Sequence, residues 1–218
     1  MHTPVWDAVD EFFDRTLVTP DAVFDDVLHR SEAAGLPAIS VTASQGKLLA
    51  LLAESIGARR ALEIGTLGGF SAIWIARALA PGGRLVTIEA EPRHAVVARE
   101  SFARAGVLDR IDLREGQALD VLPQLTDTKI DFTFIDADKP KTPAYLDWAI
   151  RLSRPGALIV IDNVVREGEI ADAAKADASA LAMRRVCEQA GQDARISATA
   201  VQTVGSKGYD GFLLARVR

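Results

Sequence analysis

Asp136, Lys139, Asp162 and Asn163 are the residues of this chain whose types and spacing most directly suggest chemistry. Two carboxylates and an amide, without His or Cys, are hard oxygen donors that suit Mg²⁺, Mn²⁺ or Ca²⁺ rather than zinc. Lys139 follows Asp136 by three residues and can point back over the same pocket. Beside a divalent cation an ammonium is disfavoured relative to the free amine, which suits a lysine to act as general base. Taken singly, each of these residues also serves as a cap, a turn residue or a solvated surface group; Lys141 reads as the last of these. Two further acids matter. Glu63 precedes the turn Gly65-Thr66-Leu67-Gly68-Gly69, and Glu89 closes the apolar run that begins at Arg84. An acid at the position of Glu89 accepts hydrogen bonds from the ribose hydroxyls of an adenosine group.

These residues need elements that bring them to one place. Apolar β-type runs at 61–64, 84–88, 111–113, 131–135 and 157–161 alternate with helical segments at 70–80, 91–105, 117–122, 142–152 and 176–190. Such alternation implies a parallel, doubly wound α/β sheet with right-handed crossovers. Two more strands, 195–201 and 211–217, are joined by a glycine-rich stretch and read as an antiparallel hairpin. The expected fold is therefore a mostly parallel seven-stranded sheet with an antiparallel C-terminal strand. Helices at 5–17 and 21–34, and one opened by Thr42, form an N-terminal helical cap over 1–57, with the α/β core at 58–218, all in one domain. Thr42-Ala43-Ser44-Gln45 reads as a capping box. Leu48, Leu49, Leu51, Leu52 and Ile56 are the expected apolar face of that helix. In an open sheet of this kind ligands bind at the carboxyl ends of the strands, where all of the acids named above fall.

The bulk properties narrow the partners. A formal charge of −5 over 218 residues disfavours nucleic acid, whose phosphates need clustered Lys and Arg. The single Cys187 excludes an internal disulfide and fits a reducing compartment; in its helix it reads as a packed thiol. No secretory signal and no apolar run of membrane-spanning length is visible, so a cytoplasmic, soluble protein without a membrane partner is expected. His2, His29 and His94 lie away from the strand tips by this reading, and Trp6, Trp74 and Trp148 read as packing residues. The glycine turn fails the G-x-G-x-x-G dinucleotide pattern, because Leu67 stands where the second glycine belongs. That counts against a nicotinamide-dependent oxidoreductase. A non-catalytic binding protein on the same fold is the alternative from another class.

Together these stretches resemble the S-adenosylmethionine-dependent, metal-dependent O-methyltransferases of the catechol and caffeoyl-CoA type, in particular their small bacterial members. The resemblance rests on Leu62 to Ser71, Glu89, Gly116 to Pro123, Phe134 to Lys139 and Arg154 to Val164. It implies that Glu63, Gly65 and Ser71 hold the methionine end of S-adenosylmethionine with help from Val41 and Asp138. Glu89 would bind the ribose, and Gly116, Gln117 and Ala118 would flank the adenine. Asp136, Asp162 and Asn163 would bind a divalent metal, Mg²⁺ first, with Asp136 also near the cofactor, and Lys139 would be the base. It further implies a small phenolic acceptor with vicinal hydroxyls and a homodimer. Two positions depart from the pattern: relatives often carry Tyr at the positions of Thr142 and Tyr145, and Met at that of Ile39.

Overall fold

The structure, a computed structural model, describes residues 4–19, 21–125 and 129–218. His2 therefore lies outside the described residues. The five β-runs read from the sequence become β1 (Arg60–Ile64), β2 (Arg84–Glu89), β3 (Ile111–Glu115), β4 (Ile130–Ile135) and β5 (Ser153–Asp162). The last two strands are β6 (Ile196–Gly205) and β7 (Gly208–Val217). They form a seven-stranded sheet in the order β3-β2-β1-β4-β5-β7-β6. The first five strands pair in parallel, while β7 runs antiparallel to both β5 and β6. The hairpin is tighter than the sequence suggests. Gly205 pairs with Gly208, so only Ser206 and Lys207 form the turn, where a seven-residue joint was expected.

Among the described residues eight α-helices surround the sheet: α1 (Pro4–Leu17), α2 (Ala22–Ala33), α3 (Ala43–Ser55), α4 (Phe70–Ala78), α5 (Pro92–Arg104), the single turn α6 (Ala118–Val121), α7 (Thr142–Leu152) and α8 (Ala178–Gln192). Side chains alternate across the strands, as the pleat requires. Leu62, Ile64, Ile159 and Ile161 join the core under α6, α7 and α8. Ala61, Phe132, Phe134 and Val160 join the core under α2, α3, α4 and α5. Burial on both faces explains why the parallel strands read as unbroken apolar runs.

The face of α3 differs from the one expected. Gly46, Leu49, Ala50 and Ala53 are buried, whereas Leu51 is half exposed. The reason is a close approach: a Cβ on Gly46 would lie 2.4 Å from the Trp74 ring on α4. Trp74 in turn stacks on Phe24 with ring centroids 4.3 Å apart. Cys187 packs against the core beside α7 and α8, and burial pushes its thiol pKa up, as fits an inert thiol. At the amino end of the sheet, buried Asp131 accepts from the Arg59 and Arg60 backbone N–H groups and from the Arg154 guanidinium. One carboxylate thus ties β1, β4 and β5 at the edge opposite the functional acids.

Candidate active site

The strand tips meet at a cavity of about 730 Å³ bordered by the carboxyl ends of β1, β2, β4 and β5. That is within the range of small-molecule sites. Every site residue expected from the sequence borders it except Glu63.

Glu63 follows Leu62 in β1, so the pleat turns it toward α4, beneath the glycine loop. It is fully buried, and its two oxygens accept from Ser71 Oγ and Thr87 Oγ1, each at 2.6 Å. Burial first, and the Asp136 and Glu89 charges after it, push its pKa up to about 8, against the two hydroxyl hydrogen bonds. The structure thus corrects direct ligand contact to support: Glu63 sets the rotamer of Ser71, which does reach the cavity.

The loop after β1 has the backbone of a ligand cradle. Gly65 has φ +96° and comes so close to the tip of β4 that a Cβ would lie 1.9 Å from the Asp136 carbonyl oxygen. The Asp136 N–H donates to the Ile64 carbonyl at 2.9 Å, which locks the two tips together. Leu67 has φ +51°, the left-handed conformation that glycine takes more readily. Glu89 holds it there: Oε2 accepts from the Thr66 and Leu67 N–H groups at 3.0 and 2.8 Å. The loop therefore keeps a glycine-like turn without the glycine of the dinucleotide pattern. Oε1 of Glu89 accepts from the Glu91 N–H at 2.9 Å and faces His94 Nδ1 at 3.4 Å. His94 borders the cavity, which corrects the expectation that it lies away from the strand tips. His94 lies in the first turn of α5, directly after the tip of β2 that carries Glu89, a nearness that the sequence does contain.

On the other side of β1, Lys139 Nζ sits 2.7 Å from Asp136 Oδ1. Asp162, 5% exposed, accepts from the Asn163 N–H at Oδ1 and from Gln45 Nε2 at Oδ2, both at 2.8 Å. Burial, and then the negative charge of Asp136, raise the Asp162 pKa, while Lys139 and Gln45 act in the opposite sense. Asn163 has φ +58°, which Asn tolerates better than most residues. Two mutually repelling carboxylates beside an amide are a donor set that a small divalent cation would relieve. Among the described residues no group of three or more His, Cys, Asp and Glu is arranged to hold a metal.

Gln45 is the residue that the sequence reading assigned elsewhere. Thr42 does cap α3, accepting from the Gln45 N–H at 3.1 Å, but the Gln45 side chain reaches Asp162 instead of returning to the cap. Tyr145 Oη donates to Asp138 Oδ1 at 2.5 Å, and Lys141 Nζ lies 3.3 Å from Asp138 Oδ2. Of the two departures, Ile39 borders the cavity mouth, whereas Thr142 is buried outside the lining.

Residues 20–217 match the family model described as O-methyltransferase. The chain belongs to the O-methyltransferase family. It is 55% identical over 210 residues to the catechol O-methyltransferase of Mycobacterium tuberculosis, covering 96% of this chain and 95% of that one. The O-methyltransferase of Bacillus cereus, solved in complex with SAH, superposes with a TM-score of 0.96 at 50% identity, over 98% of this chain and 99% of the other. TomG of Streptomyces achromogenes, an O-methyltransferase of tomaymycin synthesis solved with SAM, gives 0.95 at 46% identity, over 100% and 99%. In this family frame the cavity at the strand tips is the candidate active site.

Proposed function

We propose that this chain transfers a methyl group from S-adenosylmethionine to one hydroxyl of a vicinal dihydroxy aromatic molecule, with a divalent metal. The observation that carries this reading is the convergence of Asp136, Lys139, Asp162 and Asn163 beside the Gly65–Ser71 loop on one cavity. The relatives named catechol O-methyltransferase support the acceptor class, and the neighbours solved with SAM or SAH support the donor.

Methyl transfer from a sulfonium is an in-line displacement, so positioning supplies most of what the protein must do. Val41, the Gly65 loop and Ser71, with Asp138, hold the methionine end of the donor, and Ser71 is fixed by Glu63. Glu89 takes the ribose at Oε1, since Oε2 is committed to the loop N–H groups. Gly116 to Ala118 border the adenine side.

Asp136, Asp162 and Asn163 would hold the cation. When bound, the cation favours the ionised form of a phenol, whose ordinary pKa is about 10, as for Tyr. Lys139 Nζ, in its free-amine form, would take the proton from the acceptor hydroxyl and become the ammonium. Gln45 keeps the Asp162 carboxylate oriented.

Methyl transfer from labelled S-adenosylmethionine to catechol, with added Mg²⁺ and with excess chelator, tests the reading. Metal-dependent product is expected. Full turnover in chelator removes the metal, and tight binding of a nicotinamide nucleotide with none of S-adenosylmethionine would falsify the assignment.

The reading includes a homodimer and a cytoplasmic setting. Val5, Val9, Phe12, Phe13 and Leu17 leave an exposed apolar face on α1 that a second copy would cover. Among the described residues no helix is long and apolar enough to cross a membrane.

A further inference from the structure

Five basic side chains border the cavity. Three have acids opposite them: His94 faces Glu89, Lys139 faces Asp136, and Lys141 faces Asp138. Among the described residues the other two, Arg166 and Lys207, have none. The Arg166 Nε–H is buried without a hydrogen-bond partner. Its neighbour Asp210 accepts from the Arg166 backbone N–H at 3.1 Å and uses the same Oδ1 for the N–H groups of Val165 and Gly211. That carboxylate fixes the backbone turn, in which Arg166 has φ +54°. Lys207 Nζ meets only a neutral acceptor, the Ala38 carbonyl, at 3.3 Å.

The sheet order shows which part of a ligand these cations face. The adenosine side is built on β2 and β3, the reacting centre on β1 and β4, and Arg166 and Lys207 extend from β5 and from the β6–β7 turn. Neighbouring strands are about 4.8 Å apart, so β2 and β5 are separated by roughly 14 Å. The two cations therefore lie beyond the reacting centre, on the side away from the adenosine. Arginine is suited to planar, two-point recognition of a carboxylate.

We infer that Arg166 and Lys207 form an anion subsite, and that the preferred acceptor is a vicinal dihydroxy aromatic acid whose carboxylate they bind. This rests on the methyl-transfer reading above and narrows its acceptor. Arg166 takes the carboxylate with the part of its guanidinium that borders the cavity, and Lys207 closes over it from the hairpin turn. The carboxylate directs which hydroxyl meets the donor, because it fixes one end of the aromatic ring.

The test compares kcat/KM, under saturating S-adenosylmethionine and Mg²⁺, for a vicinal dihydroxybenzoate, its methyl ester and catechol. The acid is expected to exceed its ester by roughly 10-fold to 100-fold, the value of a hydrogen bond to a charged group. In Arg166→Gln that ratio falls toward one, mainly through KM, and Lys207→Gln lowers it in the same direction. The ratio is read within each variant, so a general loss of folded protein does not move it. Equal use of acid and ester by the native chain overturns the subsite, as does an unchanged ratio in both variants. A coenzyme A thioester used in preference to both would shift recognition to phosphate and also overturn it. Methylation of catechol alone leaves the methyl-transfer reading standing while this proposal fails. No methylation of any acceptor removes both.

Discussion

Gln45 Nε2 donates to Asp162 Oδ2 at 2.8 Å, so the first turn of α3 is bonded directly to the tip of β5. Removing a partner that orients a metal-ligating carboxylate typically costs 10-fold to 100-fold in metal affinity. Gln45→Ala is expected to raise the Mg²⁺ concentration for half-maximal methyl transfer by about 10-fold. A metal titration of initial rate checks this, and an unchanged midpoint would separate Gln45 from the cation.

Asp162→Ala should abolish methyl transfer while leaving much of the donor affinity, because the proposed reading gives Asp162, at the tip of β5, to the metal and not to the donor. Activity assays together with calorimetric titration of S-adenosylmethionine give the two numbers. Near-native activity in this variant would mean that the metal ligands lie elsewhere.

Glu63 links stability to pH in a direction opposite to that of an ordinary surface acid. Its folded pKa is raised to about 8 from 4.5, so the folded state binds more protons between these values. Stability from this group is complete below the unfolded pKa and is lost as pH rises toward about 8. Glu63→Gln keeps an acceptor for Ser71 and removes the titration. Its melting temperature relative to the native chain is expected to rise steadily from pH 5 to about pH 8. A constant difference across that range would contradict the burial argument.

Gly65 and Gly82 both have positive φ, +96° and +76°, but only Gly65 is crowded. Gly82→Ala is expected to cost about 1–2 kcal/mol from backbone strain alone. Gly65→Ala must also move the Asp136 carbonyl, and a loss of about 3 kcal/mol or more is expected. Thermal or denaturant unfolding of the two variants side by side checks the difference.

The apolar face of α1 predicts a change of assembly. Phe12 and Leu17 are 51% and 66% exposed. Replacing both by Ser should convert a dimer to a monomer in size-exclusion chromatography with light scattering. A native chain that is already monomeric at micromolar concentration would dismiss the interface.

The sheet was legible because its strands are buried on both faces, so Ala61–Ile64 and Phe132–Ile135 read as apolar runs. β3 was read short, since Arg114 and Glu115 continue it in polar residues at the strand next to solvent. The tight hairpin was missed because Gly208, Asp210 and Gly211 are turn-like in type yet pair with Gly205, Thr203 and Gln202. Within the site, acids at strand tips could be read from local order alone. The bond from Gln45 spans 117 residues, and nothing near Gln45 signals it. The same holds for Arg166 and Lys207, which the sheet order brings to one cavity. Glu63 was placed at the right end of its strand, but its face follows from the pleat and the packing of α4.

Glu89 joins two tasks in one side chain. One oxygen supports the strained Leu67 turn, and the other, which accepts from the Glu91 N–H, is the one that the proposed reading assigns to the ribose. The recognition of the two ends of the donor is thus not separable. A substitution at Glu89 and one in the Gly65–Ser71 loop should have non-additive effects on donor affinity, with the second costing less once the first is in place.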